Sequence, residues 1–276
     1  RNDTVKGTMV IGNGYEYEYL NDVQYKDRTA PNPNYEKTIN STLIFYLNYG
    51  ITNNFSIEGI LPWRRVVNNK FTYDSRQFIR MSHGFGDAIL MGKYRFPVMD
   101  EWANITIGAG VKLANGRLEE PDGSGSRISD NLQIGSGTID PVLSIYASHA
   151  SLNKKWFFYT NFITRISSDE NIYGYKYGNE YHSTFSANYD LTDFIFLQSS
   201  IEFIYTERDT DQYGHRIKRE RGGKWLYWTP GISLRLTPDF ILDMQYPIPV
   251  YQYVNESQLI SPGFLRMNIS YELGGE

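Results

Sequence analysis

The stretch Gly84-Phe-Gly-Asp-Ala-Ile-Leu-Met-Gly-Lys-Tyr-Arg-Phe96 separates into two different faces when every second residue is read. One face carries no charge and consists of Ala88, Leu90, Gly92, Tyr94 and Phe96. The other face carries three charges and consists of Phe85, Asp87, Ile89, Met91, Lys93 and Arg95. Because side chains alternate across a β-strand, the stretch predicts one long strand between two different solvents. Long strands of this kind, repeated along a chain, are typical of a transmembrane β-barrel.

The same alternation recurs along the whole chain and predicts twelve strands. In the second of them, for example, Leu43, Phe45 and Leu47 alternate with polar positions. The predicted strands cover residues 8–20, 36–50, 54–66, 79–97, 103–114, 136–150, 154–167, 179–190, 193–206, 224–237, 239–252 and 262–273.

The connections between these strands alternate between short and long. The short ones lie at residues 52–54, 99–102, 152–153, 191–192 and 237–239. The long ones lie at residues 21–35, 67–78, 115–135, 168–178, 207–223 and 253–261. This alternation predicts a 12-stranded antiparallel up-and-down transmembrane β-barrel with short periplasmic turns, longer extracellular loops and both termini periplasmic. We expect one all-β domain over residues 1–276, in a bacterial outer membrane, with a processed N-terminus because the chain starts at Arg1.

The composition agrees with this fold class. Apolar residues make up only 41% of the chain, below the usual 45–50% of a globular protein, and we find no run of about 18 apolar residues that would predict a membrane helix. A net charge of −4 argues against nucleic acid as a partner. The chain has no cysteine, which excludes disulfides, thiolate metal sites and cysteine nucleophiles.

The aromatic residues are predicted to form two belts at the membrane interfaces, although strands also favour aromatic residues in general. The belt near the short turns comprises Tyr49, Phe55, Tyr94, Phe96, Trp102, Trp156, Tyr189, Phe194 and Phe240. The belt near the long loops comprises Tyr17, Tyr19, Trp63, Tyr205, Trp225, Trp228, Tyr246 and Tyr251.

If the apolar faces contact lipid, the polar faces line the lumen with charges of both signs. The predicted lumen or constriction residues are Glu58, Asp87, Lys93, Arg95, Lys112, Asp140, Glu202, Arg235, Asp243 and Arg266. By depth we group Arg235 with Asp243, Glu58 with Lys93 and Arg95, and Lys112 with Asp87 and Asp140. Two interpretations stay open: a structural network of paired charges, and a constriction that selects solutes by charge. The mixed lining argues against a strong preference for ions of one sign.

Three features lie outside this pattern. The loop 208–224 is rich in cations that can meet lipid headgroups or an anionic solute, or simply be solvated: His215, Arg216, Lys218, Arg219 and Arg221. The loop 119–130 contains acids without the spacing of a calcium site, and we expect no metal and no cofactor. Pro247 and Pro249 predict a distortion of the eleventh strand, with a lateral opening of the wall as the alternative.

A barrel enzyme is a further alternative, and it would need a constellation such as Ser-His or Asp-His. The four histidines, His83, His149, His182 and His215, belong to no local catalytic motif. We therefore predict no catalytic residues.

Several blocks together resemble a known family. They are the opening stretch 84–96, Leu132-Gln-Ile-Gly-Ser-Gly-Thr-Ile-Asp140, Asn171-Ile-Tyr-Gly-Tyr-Lys-Tyr-Gly-Asn-Glu180, Gly222-Gly-Lys-Trp-Leu-Tyr-Trp-Thr-Pro-Gly231 and Tyr246-Pro-Ile-Pro-Val-Tyr-Gln-Tyr-Val-Asn255 with Gln258-Leu259. Over roughly residues 50–273 the chain resembles the outer-membrane family named for the meta-pathway of phenol degradation. The resemblance implies an outer-membrane barrel and uptake of small, often aromatic, compounds.

The leading functional hypothesis is a channel for passive passage of small solutes, including small aromatic or hydrophobic compounds. Eight strands leave no pore and porins have about sixteen, so twelve strands predict low or gated conductance. The alternative is a structural or anchoring barrel in a larger envelope assembly. The predicted partners are outer-membrane lipids, a small solute and, in the alternative, other envelope proteins.

Overall fold

The computed structural model describes residues 5–98 and 103–274, and the chain in these ranges is almost entirely β-structure. Its strands, numbered in chain order, are β1 (Met9–Leu20), β2 (Asp22–Lys26), β3 (Arg28–Ala30), β4 (Lys37–Gly50), β5 (Phe55–Phe71), β6 (Gln77–Phe85), β7 (Ile89–Val98), β8 (Ala103–Lys112), β9 (Asp140–Ala150), β10 (Trp156–Arg165), β11 (Glu180–Asp190), β12 (Ile195–Thr206), β13 (Thr210–Asp211), β14 (Arg216–Ile217), β15 (Gly223–Thr237), β16 (Phe240–Gln245), β17 (Ile248–Ile260) and β18 (Phe264–Leu273). One 3₁₀ turn covers Asp130–Leu132, and no helix of the described residues is long and apolar enough to cross a membrane. The predicted short turn at 99–102, with Trp102, lies outside the described residues.

The sheet closes on itself as an antiparallel barrel. β1 pairs with β4 on one side and with β18 on the other, and β12 pairs with β15. The wall has twelve positions, because β6 and β7 share the fourth position and β16 and β17 share the eleventh. The predicted 12-stranded antiparallel barrel is therefore confirmed. We call the end with the long loops the outer end and the end with the short turns the inner end, following the predicted orientation.

The outer surface of the wall is apolar. Ile57, Leu90 and Ile145, for example, are about half exposed and point away from the lumen, as the alternation predicts. Below the outer end, continuous ladders close the wall, so a wall with an apolar exterior fits the hydrocarbon of a bilayer. One belt residue is placed differently: Trp225 pairs with Ile204 on the same face as Glu202, so it points inward and does not belong to the outer belt.

The opening stretch 84–96 is not one continuous strand, and this prediction was wrong. The fourth wall strand breaks between β6 and β7 at residues 86–88, where the amide of Gly86 donates to the Pro62 carbonyl at 2.8 Å. Trp63 pairs with Phe85, whereas Ile60 pairs with Ile89, so the break contains one extra residue. One extra residue exchanges the two faces of a strand. Phe85, predicted on the face of Asp87, therefore points outward and is 53% exposed.

The eleventh wall strand breaks at the predicted prolines. β16 pairs with β18, and the amide of Phe264 donates to the Pro247 carbonyl at 3.2 Å. Beyond that bond β17 pairs with β15 on one side, and its last residues pair with β2 after a bulge at positive-φ Glu256. Within the described chain, no ladder joins residues 248–253, the first half of β17, to residues 258–263, which comprise the end of β17 and the turn before β18. The predicted distortion is present, and it lies at the outer end of the wall.

Two predicted long loops are mostly strand. β5 and β6 extend to Phe71 and Gln77, so only residues 72–76 remain as a turn where 67–78 was predicted, and β17 covers most of 253–261. Two further hairpins, β2–β3 and β13–β14, form inside the predicted loops 21–35 and 207–223. The outer rim is therefore built of extended strands more than of irregular loops.

Candidate functional site

The connection between β8 and β9, residues 113–139, folds into the outer end of the lumen. Its residues Ile128, Leu132 and Ile134 form a buried apolar cluster with Val66 of β5. Ser82 of β6 donates a hydrogen bond to the Leu132 carbonyl at 2.5 Å. We call this segment the inward loop. Its residues 129–132 line the lumen at the outer end.

Asp87 fastens the inward loop to the break in the fourth wall strand. Its Oδ1 accepts a hydrogen bond from the Gly116 amide at 2.9 Å, and its Oδ2 accepts from the Ser136 amide at 2.8 Å and the Ser136 hydroxyl at 2.6 Å. The Lys112 ammonium lies 3.1 Å from the same carboxylate and also contacts the Ser136 hydroxyl. The irregular backbone at the break therefore presents a carboxylate that holds both ends of the loop.

The charges near the outer end form a chain of ion pairs that continues around the wall. Lys112 Nζ lies 2.9 Å from Asp140 Oδ2, which also contacts Arg165 at 3.0 Å. Arg165 in turn contacts Glu180 at 3.1 Å. The Asp140 side chain is fully buried, and a buried carboxylate needs such partners. Lys112, Asp87 and Asp140, grouped by depth in the sequence, are thus brought together.

A second polar layer crosses the middle of the lumen. Arg266 of β18 lies 3.0 Å from Glu16 of β1 and 2.9 Å from Glu202 of β12. Arg266 also donates to Gln245 at 3.2 Å, and Gln245 donates to Gln198 at 2.9 Å. We call these five residues the middle layer. It joins four wall strands and separates an inner cavity from an outer one.

The inner cavity has a volume of about 680 Å³ and opens toward the short turns. Lys93 and Glu58 line it as an ion pair of 2.6 Å. Arg235 and Asp243 also line it but do not pair with each other: the Arg235 guanidinium lies 4.7 Å from the centre of the Phe196 ring, and Asp243 accepts from Asn268. Ser233, not Arg235, is opposite Asp243 in the ladder, which explains the difference.

Arg95 takes part at the inner rim. Its guanidinium donates to the carbonyl of Asn53 in the first short turn at 2.9 Å. It was grouped with Glu58 by depth, but the carboxylate of Glu58 is contacted by Lys93. Arg95 therefore belongs to the mouth of the inner cavity.

Aromatic rings form part of the inner cavity wall. Tyr46, Tyr146, Phe157, Tyr159 and Phe196 all line it. The rings of Tyr146 and Tyr159 stack with their centres 5.6 Å apart, and Phe157 lies 6.3 Å from Tyr159. The Tyr159 hydroxyl accepts a hydrogen bond from Gln198 at 3.2 Å. The cavity therefore offers ring faces beside polar groups.

The outer cavity has a volume of about 660 Å³ and a more polar lining. Two cations of the loop 208–224 reach it, Lys218 and Arg221. Arg221 lies 3.1 Å from Asp209, and Lys218 lies 3.3 Å from Glu220. Of the five cations predicted to meet lipid headgroups or an anionic solute, Lys218 and Arg221 therefore line the barrel mouth. The other three, His215, Arg216 and Arg219, are exposed around the β13–β14 hairpin.

Asp209 organises this loop. Besides Arg221, it accepts hydrogen bonds from the Gly178 amide at 2.8 Å and from the Tyr175 hydroxyl. Burial, together with the neighbouring Asp209 carboxylate, raises the pKa of the Tyr175 phenol well above its usual range. Tyr175 therefore stays a neutral donor, and the buried carboxylate fixes the outer rim of the cavity.

Some residues of the site were not selected from the sequence. Glu16, Gln198 and Gln245 of the middle layer obey the same inward alternation as the selected charges, but two of them are neutral. Arg165 lies in the seventh predicted strand, where the alternation is unclear. Their partners lie on distant strands, and spacing along the chain gives no sign of such contacts.

A closed apolar-walled barrel with a divided polar lumen defines the class: this is a bacterial outer-membrane β-barrel protein. The chain belongs to the family described as "Putative MetA-pathway of phenol degradation", whose model matches residues 37–252, and this confirms the resemblance found in the sequence. Its fold is similar to that of the COG4313 outer membrane channel from Pseudomonas putida F1, with 13% identity, a TM-score of 0.74 and coverage of 97% of this chain and 96% of that one. The NanC porin is more distant, with 10% identity, a TM-score of 0.50 and coverage of 96% of this chain and 100% of the porin. No curated protein matches the sequence.

Proposed function

We propose that the protein is a passive outer-membrane channel for small solutes. The observation that carries the proposal is the pair of cavities, about 680 and 660 Å³, stacked along one barrel. A purely structural barrel of this size could be filled by its side chains, whereas this lumen retains space on both sides of the middle layer. A solute then passes only when the middle layer and the inward loop move aside, so conductance is low and gated.

The charges favour a channel of weak ion preference. The cation of Arg266 faces two carboxylates, and Lys93 is neutralised by Glu58. Constrictions that select one sign of ion present a ring of like charges, which differs from this arrangement. We therefore assign the paired charges mainly to holding the lumen in shape.

The aromatic wall supports a small aromatic solute with a polar substituent. Aromatic rings attract one another edge to face or offset, and Tyr146, Phe157 and Tyr159 present such rings in the inner cavity. Gln198 provides a hydrogen-bonding amide next to Tyr159. We propose no catalytic role, since these groups bind and orient but supply no nucleophile paired with a base.

The test is single-channel recording of the purified protein in planar bilayers, with and without phenol as the probe. We expect small current steps that phenol reduces, because phenol occupies the inner cavity. Tyr159→Leu removes one ring contact, and we expect roughly threefold weaker block, within the range measured for aromatic pairs. Tyr73→Leu is the matched control, because Tyr73 is fully exposed in the turn 72–76.

A correctly folded barrel that stays electrically silent would overturn the channel proposal and favour the anchoring alternative. Equal block of the wild type and Tyr159→Leu would leave a channel but reject the aromatic preference.

A further inference from the structure

Arg65 and His83 lie next to each other on the lipid-facing side of the wall. They are directly opposite in the β5–β6 ladder, and both are exposed. Their neighbours in sequence, Arg64 and Ser82, face the lumen: Arg64 lines the outer cavity, and Ser82 is fully buried against the inward loop. Alternation therefore fixes Arg65 and His83 on the outside.

The two side chains lie at the outer aromatic belt, whose Tyr17 is aligned with Arg65 through Ser41. The next pair toward the inner end is Trp63 and Phe85, about 7 Å away along the strands. Aromatic side chains of this kind mark the boundary between hydrocarbon and headgroups. A charge on the lipid face is costly near the middle of the bilayer and tolerated at its boundary, so Arg65 is placed at headgroup level.

Arg65 has no acidic partner among the residues that the structure describes. Its one polar contact there is between Nη2 and the Met81 sulfur, at 4.0 Å. Three of the inward arginines, Arg80, Arg165 and Arg266, do pair with carboxylates. The next pair toward the outer end is Val67 and Met81, and neither residue carries a charge. Within residues 5–98 and 103–274, the guanidinium therefore has no carboxylate counterion.

Two hydroxyl groups extend the same surface. Ser41 is opposite Arg65 in the β4–β5 ladder, and Tyr17 is opposite Ser41 in the β1–β4 ladder. The four side chains thus follow one another across four adjacent strands on the outward face. Together they offer a planar guanidinium, an imidazole and two hydroxyls, a donor set suited to phosphate oxygens.

We propose that Arg65 and His83, assisted by Ser41 and Tyr17, bind the phosphate of a phosphorylated lipid of the outer leaflet. The position selects a lipid over a soluble anion, because the apolar wall below the site receives acyl chains while the donors receive the headgroup. This site is separate from the lumen and from the cations of loop 208–224, and it does not depend on the channel proposal.

The test measures binding of lipid A to the detergent-purified protein by native mass spectrometry, with dephosphorylated lipid A and inorganic phosphate as comparison probes. We expect lipid A to bind and the dephosphorylated form to bind about tenfold more weakly, as loss of a charge-assisted contact implies. Arg65→Gln should weaken lipid A binding about tenfold as well. Arg65→Lys should fall between, because lysine keeps the charge but loses the fork of donors.

Arg76→Gln is the matched control, because Arg76 is exposed and pairs with Asp74 in the turn 72–76. It removes the same charge without touching the proposed site and should bind lipid A like the wild type. Single-channel currents of Arg65→Gln should also be unchanged, which separates this site from the lumen. Equal lipid A binding by the wild type and Arg65→Gln would overturn the proposal, as would equal binding of phosphorylated and dephosphorylated lipid. Tight binding of inorganic phosphate alone would overturn the choice of a lipid.

Discussion

Asp87→Ala should release the inward loop from the wall. The Asp87 carboxylate accepts three hydrogen bonds from Gly116 and Ser136, and its side chain is only 8% exposed. Lys112 keeps Asp140 as a partner, and the apolar cluster around Leu132 remains. We therefore expect the substitution to lower the free energy of releasing the loop by about 3 kcal/mol, the low end of the cost of breaking a buried ion pair. That free energy raises the population of the released loop about 100-fold.

The absence of cysteine from the chain makes the release measurable by thiol labelling. Leu132→Cys places a thiol at a position that is 4% exposed in the closed loop, so labelling proceeds through the released state. The labelling rate should rise about 100-fold when Asp87→Ala is added, and single-channel recordings should show longer open periods.

Asp122→Ala is the control for this experiment. It removes an acid of the same loop whose carboxylate contacts Ser124 in its own turn, so labelling should not change. A rate ratio below about threefold for Asp87→Ala, or an equal rise in the Asp122→Ala control, would refute the role of Asp87 as the fastening of the loop.

Two further substitutions test the middle layer and the outer rim. Arg266→Gln leaves Glu16 and Glu202 without their cation, so the reversal potential in a KCl gradient should move toward that of potassium, whereas Arg76→Gln should leave it unchanged. Asp209→Asn weakens the contacts to Arg221 and Tyr175, so trypsin should cut the loop 207–222 about tenfold faster, roughly the effect of one lost charge-assisted hydrogen bond. The control is Asp211→Asn, because the Asp211 carboxylate contacts only the adjacent Gln212 amide in the described chain.

Strand positions could be predicted because period-two alternation is a local property of the sequence. The predicted strand at 36–50 corresponds to Lys37–Gly50, and that at 193–206 to Ile195–Thr206. The alternation also placed Lys93 and Glu58 on the lumen face, where they form an ion pair. What a strand faces can thus be inferred from its own residues.

Breaks in strands and contacts across the lumen could not be predicted in this way. Residues 86–88 continue the alternation in the sequence, and only the ladder to β5 reveals the extra residue. Arg235 and Asp243 flank one turn, yet Arg235 stacks on Phe196 of another strand. The extension of β5 to Phe71 depends on pairing with β6, which the polar residues of 67–78 do not indicate. Each of these features depends on which strands become neighbours and in which register.

The extra residue in the break at 86–88 determines which residues of β6 face the lumen and which face lipid. On the outer-end side of the break, Ser82 and Arg80 point into the lumen, and His83 and Met81 point toward lipid. Deleting or inserting a single residue there would exchange these two sets over the whole of Gln77–Phe85, placing Arg80 in lipid and Phe85 in the lumen. Adding or removing two residues would leave both sets on their present faces. We therefore expect the break to tolerate a change of two residues in length but not of one, whereas the turn 72–76, which belongs to no ladder, can change by one residue.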